Sequence, residues 1–122
     1  MKSYKEIIEN HTLPKKFKYK IIKSIMFLLS KYQDDTLKII LFGSCAKSQV
    51  KETSDVDLAL VIKGSANPKL YSKIRNELWD NEIDDDIETD LYFISEKLYN
   101  SNEFEKSIPY NIIKKGITLY VQ

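Results

Sequence analysis

Apolar residues recur along this chain with two periods. From Lys15 to Lys31 they follow the 3.6-residue period of a helix: Phe17, Ile21, Ile25, Leu28 and Tyr32 form a stripe, and Ile22, Met26 and Leu29 widen it. Lys16, Lys20, Lys23 and Lys31 fall outside the stripe and read as its solvated side. Residues 3–9 read as a short helix, and Asn10 to Pro14 as a break, with Pro14 suited to a helix start. His11 lies in that break with no second histidine or cysteine pair nearby, so it reads as a surface residue. Beyond the turn Gln33–Thr36 the pattern changes. Leu37 to Phe42, interrupted only by Lys38, and Val56 to Ile62 are short apolar runs that read as strands.

Lys63 to Asn67 is a polar turn containing Gly64. Asn67 then suits a helix cap and Pro68 a first turn, with Leu70, Ile74 and Leu78 recurring every four residues. This predicts a crossover helix between two strands, with Trp79 as a core anchor. Asp84, Asp85 and Asp86 read as a solvated acidic loop before a third strand, Ile87 to Ile94. Glu96 to Tyr99 reads as a helical turn. Glu103 to Lys115 is broadly helical, with Phe104, Ile108 and Ile112 as its apolar positions and Pro109 imposing a kink or a restart. Gly116 closes that helix, and Ile117 to Val121 is a last short strand.

At 122 residues the chain is read as one domain, with 1–35 an N-terminal helical segment and 36–122 an α/β core. Hydrophobic residues at 43% and charged residues at 30% are the balance of a soluble globular protein, which sets disordered and fibrous classes aside. A single cysteine excludes an internal disulfide framework and points to a cytoplasmic setting. No apolar run is long enough for a membrane span, and Met1 to Asn10 lacks the pattern of a signal peptide. The net charge of +1 is unevenly spread. Residues 1–51 hold eleven lysines against Glu6, Glu9, Asp34 and Asp35, whereas 80–96 hold eight acids and no base. A basic surface of this kind suits an acidic partner or a polyphosphate, although a solvated helix face accounts for the lysines equally well.

The chemistry concentrates between the first two strands. The run Leu37–Phe42 stops at Gly43-Ser44, and Ser54-Asp55-Val56-Asp57-Leu58 follows after a short polar link. Alternate residues of a strand share a face, so Asp55 and Asp57 point together, roughly 7 Å apart along the backbone. Two such carboxylates repel unless a cation lies between them, and oxygen ligands on a rigid element suit Mg²⁺. Gly43-Ser44 at a strand end, with a helix opening behind it, offers backbone N–H groups to an anion, and the missing side chain of Gly43 allows close approach. A phosphate cradle beside metal-binding carboxylates indicates phosphoryl or nucleotidyl transfer.

The stretch resembles the signature of the DNA polymerase β-like nucleotidyltransferases, Gly-Ser-x-Ala-Arg-Gly, five residues, then Ser-Asp-x-Asp-Leu. Here Gly43-Ser44-Cys45-Ala46-Lys47-Ser48, five residues and Ser54-Asp55-Val56-Asp57-Leu58 reproduce the spacing without a gap. Lys47 stands in place of arginine, keeping the charge without the bidentate fork, and Ser48 in place of glycine. Cys45 beside the loop reads as a small space-filler, with a reactive thiol at a helix N-terminus as the alternative. The small size and the ending Lys114 to Tyr120 resemble the minimal nucleotidyltransferase branch, whose members often act as antitoxins to HEPN-domain toxins.

The resemblance implies a polymerase β-like α/β fold: a mixed, twisted sheet of three to five strands, with helices on one side. It implies that Gly43, Ser44, Lys47 and Ser54 bind the nucleotide and that Asp55 and Asp57 hold Mg²⁺. Asp90, a third carboxylate on the next strand, completes a second metal position, with Glu88 as the alternative. ATP would be the donor, and a tyrosine hydroxyl of a HEPN ribonuclease toxin the acceptor. Stable nucleic-acid binding is not expected, since no room remains for a domain to grip it. Two other readings stay open: an antitoxin that neutralises its partner by contact alone, and a nucleotidyltransferase acting on a small molecule. The oligomeric state is left open.

Overall fold

Four strands meet so that the chemically distinctive residues collect at one end of a sheet. The computed structural model describes residues 2–82 and 86–122, so Asp84 and Asp85 of the acidic loop lie outside the described residues. The elements are α1 (Tyr4–Asn10), α2 (Lys15–Tyr32), β1 (Thr36–Phe42), α3 (Gly43–Ala46), β2 (Val56–Ile62), α4 (Pro68–Asp80), β3 (Thr89–Ser95), α5 (Glu96–Tyr99), a 3₁₀ turn (Phe104–Lys106), α6 (Ile108–Ile113) and β4 (Ile117–Val121). The strand order is β3-β2-β1-β4. β1 runs antiparallel to both β2 and β4, and β2 runs parallel to β3. The end of β1 therefore sits beside the starts of the other three strands.

The parallel pair follows from α4, which carries the chain back along the sheet as a parallel connection requires. Its start is set locally: Asn67 Oδ1 accepts the Leu70 N–H at 3.2 Å, and Pro68 occupies the first turn. Strand alternation then divides the side chains between two cores. Ile39, Leu41, Val56, Leu58, Leu60 and Ile62 pack against Phe17, Ile21, Ile25 and Leu28 of α2 and Ile74 and Leu78 of α4. On the opposite face, Ile40, Ala59, Val61 and Ile94 lie under Phe104 and Ile113. The expectation of helices on one side alone is thus corrected. The long helices take one face, and the short C-terminal helical segments cover the other, because β1 and β2 are apolar on both.

Two more expectations change. Lys20 is not solvated: it is 1% exposed and paired with Glu82 Oε1 at 3.0 Å, a partner remote in sequence that makes burial of the ammonium tolerable. Trp79 is not a core anchor but 49% exposed, since Ile74 and Leu78 already fill the inner side of α4. The C-terminal helix takes the restart that Pro109 allowed and is two pieces. Ser107 ends the 3₁₀ turn, donating its hydroxyl to the Phe104 carbonyl, and its Oγ then accepts the Tyr110 N–H at 3.3 Å to restart the chain as α6 with Pro109 in the first turn. The restart turns Ile113 inward and leaves Ile108 exposed.

One buried polar contact ties this scaffold to the strand carrying Asp90. Ser24 Oγ of α2 and Thr89 Oγ1 of β3 lie 2.8 Å apart with both residues buried. No helix among the described residues is long and apolar enough to cross a membrane.

Candidate active site

Gly43 opens the site with a backbone that other residues rarely adopt. Its φ is +74°, and a Cβ there would collide with the Asp57 carboxylate. The chain leaves β1, turns through α3 and closes with Lys47 N–H donating to the Gly43 carbonyl at 3.3 Å and Gln49 N–H to the Ser44 carbonyl at 3.0 Å. Ser48 takes φ +57°, the left-handed region, at the position where the motif usually has glycine. His11 reaches this loop from the turn between α1 and α2. Its Nε2 lies 2.8 Å from the Cys45 carbonyl oxygen and 3.3 Å from Ser48 Oγ. The residue expected at the surface is instead half-buried and braces the loop.

Ser54 bends the link that follows, its Oγ accepting the Lys51 N–H at 2.8 Å. Asp55 precedes β2 and Asp57 is near its start, on the face away from Val56 and Leu58. In register, Asp57 is opposite Phe42 on one side and Asp90 on the other. The site thus brings together Gly43 and three of the expected acids.

Carboxylate oxygens of Asp55, Glu88 and Asp90 lie within 4.8 Å of one another, so Glu88, named as the alternative to Asp90, stands beside it. The acids press on one another. Burial, then the charges of Asp90 and Asp55, pushes Asp57 up to about 6. Asp90 is raised by burial, by the charge of Asp55 and a hydrogen bond with it, and further by Glu88 and Glu82. Burial first, then Asp57 and Asp55, pushes the Cys45 thiol up to about 11, so it is a protonated filler, its Sγ 3.6 Å from the Asp55 carbonyl. An all-oxygen donor set under mutual repulsion fits a hard divalent cation such as Mg²⁺, whose charge would relieve it.

On the other side of Gly43 lies a cavity of about 320 Å³, lined by Lys47 and, from the C-terminal segment, Asn111, Lys115 and Gly116. Sequence reasoning missed Asn111 and Lys115. The available signal was the pairing of the last strand with the first, which sets the residues before β4 beside those after β1.

A family model described as polymerase beta, nucleotidyltransferase, matches residues 23–122. The chain belongs to this family. No curated protein sequence matches the chain significantly. Among solved structures, a toxin–antitoxin complex with AMP-PNP is 19% identical with a TM-score of 0.53, over 82% of this chain and 73% of that one. A mutant of the toxin–antitoxin pair MntA-HpeT is 16% identical with a TM-score of 0.55, over the same shares. A Sulfolobus solfataricus protein provisionally assigned as a nucleotidyltransferase is 17% identical with a TM-score of 0.50, over 82% of this chain and 76% of that one. At these identities the likeness is one of fold. The nucleotidyltransferase fold here is a four-stranded mixed sheet with helices on both faces.

Proposed function

We propose that this nucleotidyltransferase is an antitoxin that transfers AMP from ATP to a tyrosine hydroxyl of a cognate HEPN ribonuclease toxin. The observation that carries the reading is the juxtaposition of the Gly43 loop with the clustered carboxylates at one end of the sheet. Two structural neighbours are toxin–antitoxin complexes, one of them with AMP-PNP, which supports both the partner class and the donor.

In this mechanism Gly43, Ser44, Lys47 and Ser54 hold the triphosphate, and Ser54 also shapes the link that precedes Asp55. Asp55 and Asp57 would hold Mg²⁺, and Asp90, with Glu88 beside it, would complete a second metal position. Bound divalent cations supply charge stabilisation for the attacking and leaving oxygens of an in-line displacement. Asp90, whose pKa is raised by partial burial and then by its acidic neighbours, orients the acceptor hydroxyl and takes its proton. The acceptor oxygen bonds to the α-phosphorus as the bond to pyrophosphate breaks. The added phosphate brings negative charge to the toxin, where an RNA backbone would otherwise bind.

The test is the intact mass of the toxin after co-expression with the wild type or with Asp57→Asn. The reading expects one or more AMP units with the wild type and none with the variant. An unmodified toxin in a stable complex with the wild type would overturn transfer and favour inhibition by contact.

A further inference from the structure

The cavity beside Gly43 is built from two distant parts of the chain, and its second half has no assigned role. β1 and β4 pair antiparallel with Leu41 opposite Ile117 and Ile40 opposite Thr118. Continuing that register past the strand ends sets Gly116 opposite Phe42 and Lys115 opposite Gly43. Gly116 makes the close approach possible. A Cβ there would stand 2.7 Å from the Leu41 carbonyl oxygen, 2.7 Å from Ile40 Cγ2 and 3.0 Å from the Ile113 carbonyl oxygen. Its N–H donates to Ile113 O at 2.8 Å, which closes the turn that carries Lys115.

Two exposed lysines, Lys47 and Lys115, line this cavity of about 320 Å³, together with Asn111. Among the described residues neither ammonium has an ion-pair or hydrogen-bond partner, whereas the adjacent Lys114 is engaged with Asn111 Oδ1 at 3.2 Å. Gly43 both lines the cavity and abuts the Asp57 carboxylate, so a phosphate chain whose α-phosphorus sat at the carboxylates would reach the cavity past Gly43.

We propose that Lys115, from the turn between α6 and β4, is a second phosphate-binding cation that opposes Lys47 and holds the pyrophosphate portion of the nucleoside triphosphate. The proposal rests on the nucleotidyltransferase reading and adds a binding residue to it. Lys115 touches the leaving group and plays no part in activating the acceptor. A cavity at the small end of ligand-site volumes fits the polyphosphate better than a whole nucleotide.

The experiment is a titration of the full chain with AMP-PNP, AMP and inorganic tripolyphosphate, comparing wild type with Lys115→Gln, Lys115→Arg and the surface control Lys106→Gln. Loss of one charge-assisted hydrogen bond predicts at least about tenfold weaker binding of AMP-PNP and tripolyphosphate by Lys115→Gln. AMP binding stays unchanged, Lys115→Arg restores most of the affinity, and Lys106→Gln binds as the wild type does. A wild type that binds AMP-PNP with Lys115→Gln matching it overturns the role of Lys115 and leaves the nucleotidyltransferase reading intact. Equal losses for AMP and AMP-PNP also overturn it, since they place Lys115 away from the pyrophosphate. A wild type that binds neither AMP-PNP nor tripolyphosphate overturns both readings.

Discussion

The Asp57 carboxylate lies so close against Gly43 that no side chain fits at residue 43. The loop and the acid strand are therefore fitted to each other, and the spacing between them has a structural as well as a chemical reason. Gly43→Ala must both strain a backbone at φ +74° and displace Asp57. The strain alone costs about 1–2 kcal/mol. Urea denaturation should show a loss of at least that size, and nucleotide transfer should fall with it. A variant with wild-type stability and activity would show that the loop moves away from Asp57 freely.

Removing the Asp57 charge should stabilise the metal-free protein. The folded carboxyl titrates at about 6 against an ordinary 3.8. Between those values the folded chain holds more protons than the unfolded one, so stability falls as pH rises through the window and is flat above it. Asp57→Asn removes the penalty, a gain of about 1 kcal/mol at pH 7 once solvent screening of a half-exposed group is allowed for. Thermal melts in EDTA from pH 4.5 to 8 check this. Mg²⁺ should raise the wild-type melting temperature at pH 8 and leave Asp57→Asn less affected. A wild type with no pH slope there would contradict the described crowding of acids.

Ser48→Gly should stabilise the loop. Ser48 holds φ +57°, which costs a side-chain-bearing residue about 1 kcal/mol. The substitution removes only the hydrogen bond between His11 Nε2 and Ser48 Oγ, which is long at 3.3 Å. His11 keeps its shorter partner, the Cys45 carbonyl at 2.8 Å. The expected result is a higher melting temperature with nucleotide affinity equal to or above the wild type. A destabilised Ser48→Gly would mean that the Ser48 hydroxyl matters more than the strain.

Ser24→Ala should cost about 1–3 kcal/mol, because it leaves the buried Thr89 hydroxyl without its partner 2.8 Å away. Thr89 adjoins Glu88 and Asp90, so metal affinity should weaken too, measurable by Mn²⁺ titration. The double change Ser24→Ala with Thr89→Val removes both polar groups, and recovery of stability on making it would isolate the unpaired hydroxyl as the cause.

The elements were legible where local rules govern them. Strand β2 runs from Val56 to Ile62 as its short apolar run implied, and Asn67 with Pro68 marks the start of α4. The meeting of Gly43, Asp55 and Asp57 was legible too, because a short link between adjacent strands leaves them little freedom. What escaped depends on partners far along the chain. Periodicity set Lys20 apart from the helix stripe but could not supply Glu82. It placed Trp79 beside an apolar stripe without showing that the inner side of α4 was already filled. Lys115 belongs to the cavity only because β4 pairs with β1, a contact with no local signature.

The central claim is that the carboxylates around Asp57 drive transfer of a nucleotide to a protein hydroxyl. The most direct measurement incubates the purified protein with the proposed toxin partner, Mg²⁺ and ATP labelled at the α-phosphate, alongside Asp57→Asn. The account predicts label on the partner's tyrosine with the wild type and none with the folded variant. Equal labelling by Asp57→Asn, or no label from a wild type that forms the complex, would contradict it.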